Sequence, residues 1–336
     1  MAKRWRVGLL GLGTVNGALA TLVAERAAGW ERRYGVRLQV VRALVRDPDR
    51  PRSLPTPVAL CTDPAEVVGA ADVDVVVEAT GGAEPAGGWL LAALAADQLV
   101  VTANKTAVAA RLPELLAVAQ RTGQRLGIEA TVMAGTPVVR TVFGLAAAGI
   151  KSMTGVLNGT TTFLADRWAA GVGWEQALAE ARERGYAEAD PTADLSGQDA
   201  ADKLVILSYL AWGLLVDRTT VMRQPLDETW VERARQGTTA GLRLRQVAWA
   251  RRRGRRVEAS VLPAVLAPGH AVWAAAGTTN AIALDTVVGD VVLTGPGAGG
   301  PATAAALAAD LLAAVLAPSV SLVEASGLSS VGHSPA

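Results

Sequence analysis

The amino-acid sequence predicts an α/β protein, with a doubly wound parallel sheet followed by a second, α+β domain. Three observations carry that expectation. A short apolar run, Trp5 to Leu10, ends in Gly11-Leu12-Gly13 and opens a helical pattern through Ala18, Leu19, Leu22 and Val23. Apolar runs then alternate with helical stretches, the order that builds a parallel sheet through crossover helices. After Pro137 the texture changes to long alanine-rich helices with extended pieces between them.

The elements follow in order. A second strand is expected from Leu38 to Val45, stopped by Arg46-Asp47-Pro48. The third, Val73 to Ala79, is continuously apolar apart from its acids, which suits a strand covered on both faces. It is bounded by Thr80-Gly81-Gly82. A helix from Trp89 to Ala96 leads to a fourth strand, Leu99 to Thr102, and a further helix to a fifth, Arg125 to Glu129. Beyond Pro137, helices are expected over Trp174 to Arg184, Gly197 to Leu215 and Thr229 to Arg235. Extended pieces are expected near Val257 to Leu266 and Val287 to Leu293. A glycine loop, residues 295–300, opens a last helix from Ala302 to Leu316.

Composition narrows the function. The length of 336 residues suits two domains, at roughly 150 residues each. With 32 basic and 31 acidic side chains, nothing points to a nucleic-acid partner or an anionic membrane. The arginines between Arg251 and Arg256 have no aromatic residues among them and read as a solvated helix end. No apolar run is long enough to span a bilayer, and the N-terminus shows no targeting segment. A single cysteine, Cys61, rules out an internal disulfide and suits a reducing cytoplasm. His270 falls in a loop after Pro268-Gly269, and His333 in a Gly/Ser/Pro-rich stretch expected to be a flexible tail, which argues against a histidine base. Only four of the 32 basic residues are lysine: Lys3, Lys105, Lys151 and Lys203. Where arginine serves for ordinary surface charge, a retained lysine is a candidate for chemistry, because an ammonium can be deprotonated and a guanidinium effectively cannot.

Gly11-Leu12-Gly13-Thr14-Val15-Asn16-Gly17 reads as a dinucleotide loop of the Rossmann type. The first glycine makes the turn, and the second admits a pyrophosphate to the helix N-terminus. The third glycine is replaced by Asn16, which implies either a helix start shifted to Gly17 or weaker cofactor binding. At the end of the second strand an acid would favour NAD and an arginine NADP. Arg46 and Asp47 offer both, with a lean to NADP, while Asp47-Pro48 equally suits a simple turn.

Lys105, in Thr102-Ala103-Asn104-Lys105, stands at the C-terminal edge of the sheet, where open α/β folds bind ligands. A second constellation runs from Gly185 to Lys203. Its loop carries Glu188, Asp190 and Asp194, and leads into a helix that holds Asp199 and Lys203 at i, i+4, on one face. A capping box of Ser196 with Asp199 and a surface ion pair worth ~0.3–0.5 kcal/mol compete with a catalytic reading.

With these segments together, the sequence resembles the homoserine dehydrogenase family over nearly its whole length. The resemblance is carried by Glu78-Ala79-Thr80-Gly81-Gly82, Thr102-Ala103-Asn104-Lys105, and the run Glu129-Ala130-Thr131-Val132-Met133-Ala134-Gly135-Thr136-Pro137. It continues through Asn158-Gly159-Thr160-Thr161, the 185–203 segment and Gly295-Pro296-Gly297-Ala298-Gly299. It implies NAD(P)-dependent interconversion of L-homoserine and L-aspartate 4-semialdehyde in threonine and methionine biosynthesis. It implies Lys105 and Lys203 as catalytic residues, and Glu188, Asp199 and Asp194 as substrate-binding. Gly11, Gly13, Thr14, Val15, Arg46, Thr80, Gly81, Lys105 and Gly299 would line the cofactor. It further implies a monovalent cation, usually sodium, on Glu129 and main-chain oxygens of Val132, Ala134 and Thr136. Oxygen-only ligands suit a hard cation. Met133 stands where the family commonly has glycine.

The implied organisation is a nucleotide-binding domain over 1–137, a substrate-binding and dimerisation domain over 138–294, a helix returning to the first domain over 295–326, and a flexible tail over 327–336. A cytoplasmic homodimer is expected, without an appended regulatory domain and insensitive to threonine. Two alternatives stay open at this point: another Rossmann oxidoreductase, or an NAD(P)-binding sensor without catalysis. Semialdehyde dehydrogenases that acylate a cysteine fit poorly, since Cys61 falls outside these motifs.

Overall fold

The computed structural model describes residues 2–316. His333 and the expected tail lie outside them. The chain forms two compact units, one running to Gly135 and resuming at Gly299, the other Thr136–Ala298.

In the first unit the doubly wound parallel sheet is present. Its strands are β1 (Lys3–Leu10), β2 (Val36–Leu44), β3 (Ala59–Cys61), β4 (Val75–Glu78), β5 (Leu99–Thr102) and β6 (Leu126–Gly127). They run parallel in the order β3-β2-β1-β4-β5-β6. The order reverses between β1 and β4, so a ligand crevice is expected at their C-terminal ends. Helix α1 (Thr14–Tyr34) and the last helix, α10 (Gly300–Leu316), bury Leu19, Val23, Leu307 and Leu311 against Val7, Leu9, Val75, Val77 and Val101. Val76 and Val100 are equally buried. By the two-residue period of a strand they face the opposite side. Helices α2 (Ala86–Ala95) and α3 (Lys105–Thr122) bury Leu90, Leu94, Leu112 and Leu115. Each such side chain contributes roughly 1.5–3 kcal/mol.

β6, expected over Arg125 to Glu129, is shorter than its sequence suggests. After Gly127 the chain enters a 3-10 turn, Glu129–Thr131. Asp310 of α10 explains this, because its Oδ2 accepts the Glu129 N–H at 2.8 Å, a donor that a longer ladder would have used. A Cβ at Gly127 would lie 2.7 Å from that of Asp310, so only glycine admits the approach.

The second unit is built on a larger sheet than expected. Strands β7 (Ile150–Val156), β8 (Met222–Arg223), β9 (Arg243–Arg253), β10 (Arg256–Leu266), β11 (Thr279–Thr286) and β12 (Gly289–Pro296) lie in the order β12-β11-β7-β9-β10-β8. All neighbours are antiparallel except β10 and β8. Its helices are α4 (Val138–Ala146), α5 (Gly159–Ala169), α6 (Trp174–Glu183), α7 (Thr192–Leu195), α8 (Gln198–Trp212) and α9 (Trp230–Thr239). Phe163, Leu164, Trp168, Leu178, Trp230 and Leu244 form a core between helices and sheet.

Three local expectations are corrected here. The arginine cluster is a hairpin, with Arg253 paired to Arg256 across the turn, and not a helix end; its side chains are nevertheless exposed. The capping box does not form, because α8 is preceded by Gly197 in the left-handed conformation and Ser196 Oγ bonds back to Ala193 O. The last helix begins at Gly300, since β12 carries on through Gly295 and Pro296. Proline is tolerated there because β12 is an edge strand. Among the described residues no helix is long and apolar enough to cross a membrane.

Candidate active site

The glycine loop sits at the end of β1, as the motif requires. Gly11 has φ +83°, and a Cβ there would lie 2.9 Å from Thr80 Cγ2. Gly13 caps α1 without a side-chain bond, leaving its helix N–H groups for a ligand. The helix is not shifted to Gly17: it starts at Thr14, and Gly17 N already bonds Gly13 O at 2.8 Å. Gly300 approaches Thr14 so closely that a Cβ would fall 2.9 Å from its Cγ2. The N-termini of α1 and α10 therefore meet at this loop, and two positive helix ends favour an anion there. In front of Gly13, Gly81 and Gly299 a Cβ would meet nothing within 4 Å. Such an open glycine cradle fits a dinucleotide pyrophosphate.

Glu78 organises the same edge. It is fully buried, yet its carboxylate accepts from Thr80 N (2.7 Å), Thr80 Oγ1 (2.6 Å), Thr102 Oγ1 (2.6 Å) and Asn104 Nδ2 (3.2 Å). Asn104 also donates to Gly82 O at 2.8 Å and accepts from Ala107 N at 3.0 Å, capping α3. Lys105, half-buried, is the first residue of that helix. Val15 is half-buried; Thr14 and Thr80 are exposed. Arg46 and Asp47 are both exposed just after β2, and Asp47 Oδ1 accepts from Asp49 N and Arg50 N within its own turn.

The loop from Glu129 is buried throughout Val132, Met133 and Ala134. Met133 and Ala134 both take positive φ, +57° and +43°. This explains why glycine would be at home at position 133. In the second unit, Thr136 O accepts Val138 N at 2.7 Å, and the buried Thr136 Oγ1 has no partner among the described residues.

The second unit gathers a polar cluster. Lys203 Nζ donates to Asp199 Oδ2 at 2.7 Å and to Leu157 O at 2.6 Å. Asn158 Nδ2 donates to the same Asp199 oxygen at 2.9 Å and to Asp194 Oδ1 at 2.6 Å. Asn158 Oδ1 meanwhile caps α5 through Thr161 N at 2.9 Å. Asn280 Nδ2 shares Leu157 O at 2.8 Å. Burial, and then the charge of Asp199, push the Asp194 carboxyl above the usual range. Asp199 and Lys203 are buried, so their pair is not the surface ion pair that spacing alone allowed. Glu188 is exposed and joins none of these bonds among the described residues.

Comparison with known proteins decides the family. Residues 137–312 match the family model described as homoserine dehydrogenase, and residues 11–129 match that of the homoserine dehydrogenase NAD binding domain. The chain belongs to the homoserine dehydrogenase family. It is 35% identical to the homoserine dehydrogenase of Bacillus subtilis, over 93% of this chain and 73% of that one. A solved homoserine dehydrogenase from Thiobacillus denitrificans superposes with a TM-score of 0.87 at 37% identity, over 92% of this chain and 73% of that chain. A putative homoserine dehydrogenase from Archaeoglobus fulgidus gives 0.81 at 29%, over 93% and 99%. A hyperthermophilic archaeal homoserine dehydrogenase, solved in complex with NADPH, gives 0.78 at 28%, over 94% and 98%. As a homoserine dehydrogenase family member, the chain is an NAD(P)-dependent oxidoreductase acting on a hydroxyl group.

Glu78 and Asn158 stand within the family motifs, but the sequence alone implies no task for them. A signal for Glu78 was present. A lone acid closing Val75-Val76-Val77, a strand buried on both faces, must be held by hydrogen bonds. Asn158 and Asp310 had no comparable local signal, since their partners lie far along the chain.

Proposed function

We propose that Lys105 and Lys203 are the catalytic residues with which this chain interconverts L-homoserine and L-aspartate 4-semialdehyde, in threonine and methionine biosynthesis. The observation that carries the reading is the buried Lys203–Asp199 pair with Asp194 tied to it by Asn158. The substrate hydroxyl must lose or gain a proton, and a lysine can move one. The one histidine among the described residues, His270, is exposed, and its Nδ1 accepts Val272 N. Asp194 and Asp199, with Glu188 from the exposed loop, hold the substrate's ammonium.

The nicotinamide cofactor supplies the hydride acceptor or donor. Gly11, Gly13, Thr14, Val15, Thr80, Gly81, Lys105 and Gly299 hold it, with Arg46 on the adenosine ribose. Asp47 Oδ1 already holds its own turn, which favours the exposed Arg46 as the partner of a 2′-phosphate and NADP as the preferred form. Sodium is held by Glu129 and the main-chain oxygens of Val132, Ala134 and Thr136, an oxygen set suited to a hard cation. The enzyme works in the cytoplasm as a homodimer assembled through its second domain. Supporting this, β12 is an edge strand bearing the exposed Val292, preceded by Val287 and Val288, which are 63% and 77% exposed. An apolar edge of this kind requires cover.

Fluorescence titration with NADPH and NADH, followed by addition of the semialdehyde, tests the reading. Tighter NADPH binding, with oxidation only when the semialdehyde is present, is expected. Cofactor binding without turnover would instead identify a sensor.

A further inference from the structure

Asn16 is where the dinucleotide loop departs from its usual three glycines, and the structure gives that departure a task. The side chain lies in the first turn of α1 and is 1% exposed. Its Nδ2 donates to Gly11 O at 2.7 Å and to Leu10 O at 3.2 Å. These are the last carbonyl of β1 and the first of the glycine turn, so both bonds run from the helix back across the loop. Two carbonyl neighbours leave no choice of amide orientation, since only the NH2 group can serve them. The Oδ1 is buried without a partner among the described residues.

A third glycine would let α1 approach β1 but bring no donor. Gly11 at φ +83° and Gly13, with open space before it, would then be restrained by backbone alone. We propose that Asn16 is a positioning residue, which clamps the Leu10 and Gly11 carbonyls and so pre-forms the cradle for the cofactor pyrophosphate. Asn16 is thus no defect of the motif. It replaces freedom at the turn with two hydrogen bonds made before the ligand arrives, and pre-organisation of that kind raises affinity without a new contact to the ligand.

The test compares Asn16→Gly, which restores the three-glycine pattern, with the isosteric Asn16→Asp, whose carboxylate cannot donate. NADPH affinity is read by fluorescence titration, KM for NADPH separately from kcat, and amide hydrogen exchange over residues 10–17 in the cofactor-free protein. For Asn16→Gly the Kd for NADPH is expected to rise about tenfold, the scale of one or two lost hydrogen bonds. Exchange at residues 11–14 should quicken, and kcat at saturating NADPH should stay within about twofold. Asn16→Asp should bind more weakly still. NADPH binding by Asn16→Gly as tight as wild type, or a fall in kcat with KM and exchange unchanged, would overturn the proposal. Because cofactor binding is read without substrate, failure here is distinct from failure of the catalytic assignment.

Discussion

Lys203 Nζ lies 2.7 Å from Asp199 Oδ2, one helical turn apart on α8, with both side chains buried. At the surface the same spacing would be worth only a few tenths of a kcal/mol. Burial changes the accounting, because each charge has lost its water and depends on the other. Leu157 O and Asn158 Nδ2 each add a hydrogen bond, the first to Lys203 and the second to Asp199.

Replacing Lys203 or Lys105 with arginine keeps the positive charge but removes an ionisable donor. Turnover should fall by ~10²-fold or more in each variant, measured in single-turnover assays so that product release does not mask it. Near-normal turnover in both would refute the lysine assignment. Lys203→Met removes the buried cation that faces Asp199 and should cost about 3–5 kcal/mol in urea unfolding, whereas Lys203→Met combined with Asp199→Leu should recover part of that loss.

Asp194 links stability to pH with a definite sign. Its carboxyl is raised in the folded state, so the fold binds a proton more readily than the unfolded chain. Its contribution is therefore unfavourable above the raised value, and is relieved as pH falls through that value towards the ordinary carboxylate range. Asp74 acts oppositely: the hydrogen bond from Arg6 holds it low, and its contribution is lost as pH falls. The difference between wild type and Asp194→Asn cancels Asp74 and the other carboxylates. The variant should be at least as stable as wild type at neutral pH, with the advantage shrinking in acid. Its kcat/KM for homoserine should fall by about tenfold, as the ammonium loses a charged partner. Thermal melts across roughly pH 4–8, the span from carboxylate titration to neutrality, together with steady-state kinetics, check both halves.

Glu78→Gln keeps the shape at the end of β4 but weakens bonds from three side chains and one backbone N–H. Hydrogen bonds to a charged group contribute about 1.5–3 kcal/mol each. A loss of about 2 kcal/mol or more in unfolding free energy is expected, with a higher KM for NADPH, because Thr80 and Asn104 are released at the crevice. An unchanged KM would show that Glu78 serves the fold alone.

Met133 gives a prediction that reverses the usual order of substitutions. Its φ of +57° is costly for any residue with a Cβ, yet its side chain is fully buried. Both Met133→Ala and Met133→Gly create a cavity costing about 2–5 kcal/mol. Only glycine relieves the left-handed backbone, by about 1 kcal/mol. The glycine variant should therefore unfold at higher denaturant than the alanine variant. The opposite order would show that position 133 carries no backbone strain.

For assembly, Val288→Asp with Val292→Asp places charge on the exposed end of the second sheet. Light scattering at micromolar concentration should report a dimer for the wild type and a monomer for the double variant. A wild-type monomer would contradict the assembly, and a dimer in both would move the interface away from β12.

The sequence by itself determined the parallel sheet and the lysines worth suspecting. Apolar runs, crossover helices and the Gly11-Leu12-Gly13 turn are local signals, and local backbone preference decides them. The scarcity of lysine is composition, which folding cannot alter. Tertiary structure alone decided which polar groups meet. β7 and β11 carry no such local signal, because their mixed sequences become strands only by pairing with each other and with β9 and β12. Residues 251–256 became a hairpin because β9 and β10 pair along their whole length. Asn158 reaches Asp194 and Asp199 from 36 and 41 residues away, and Asp310 reaches Glu129 from 181. No spacing rule covers such distances. Even the pair that spacing did foresee, Asp199 with Lys203, owes its character to burial, because a charge pair matters in proportion to the water removed from around it.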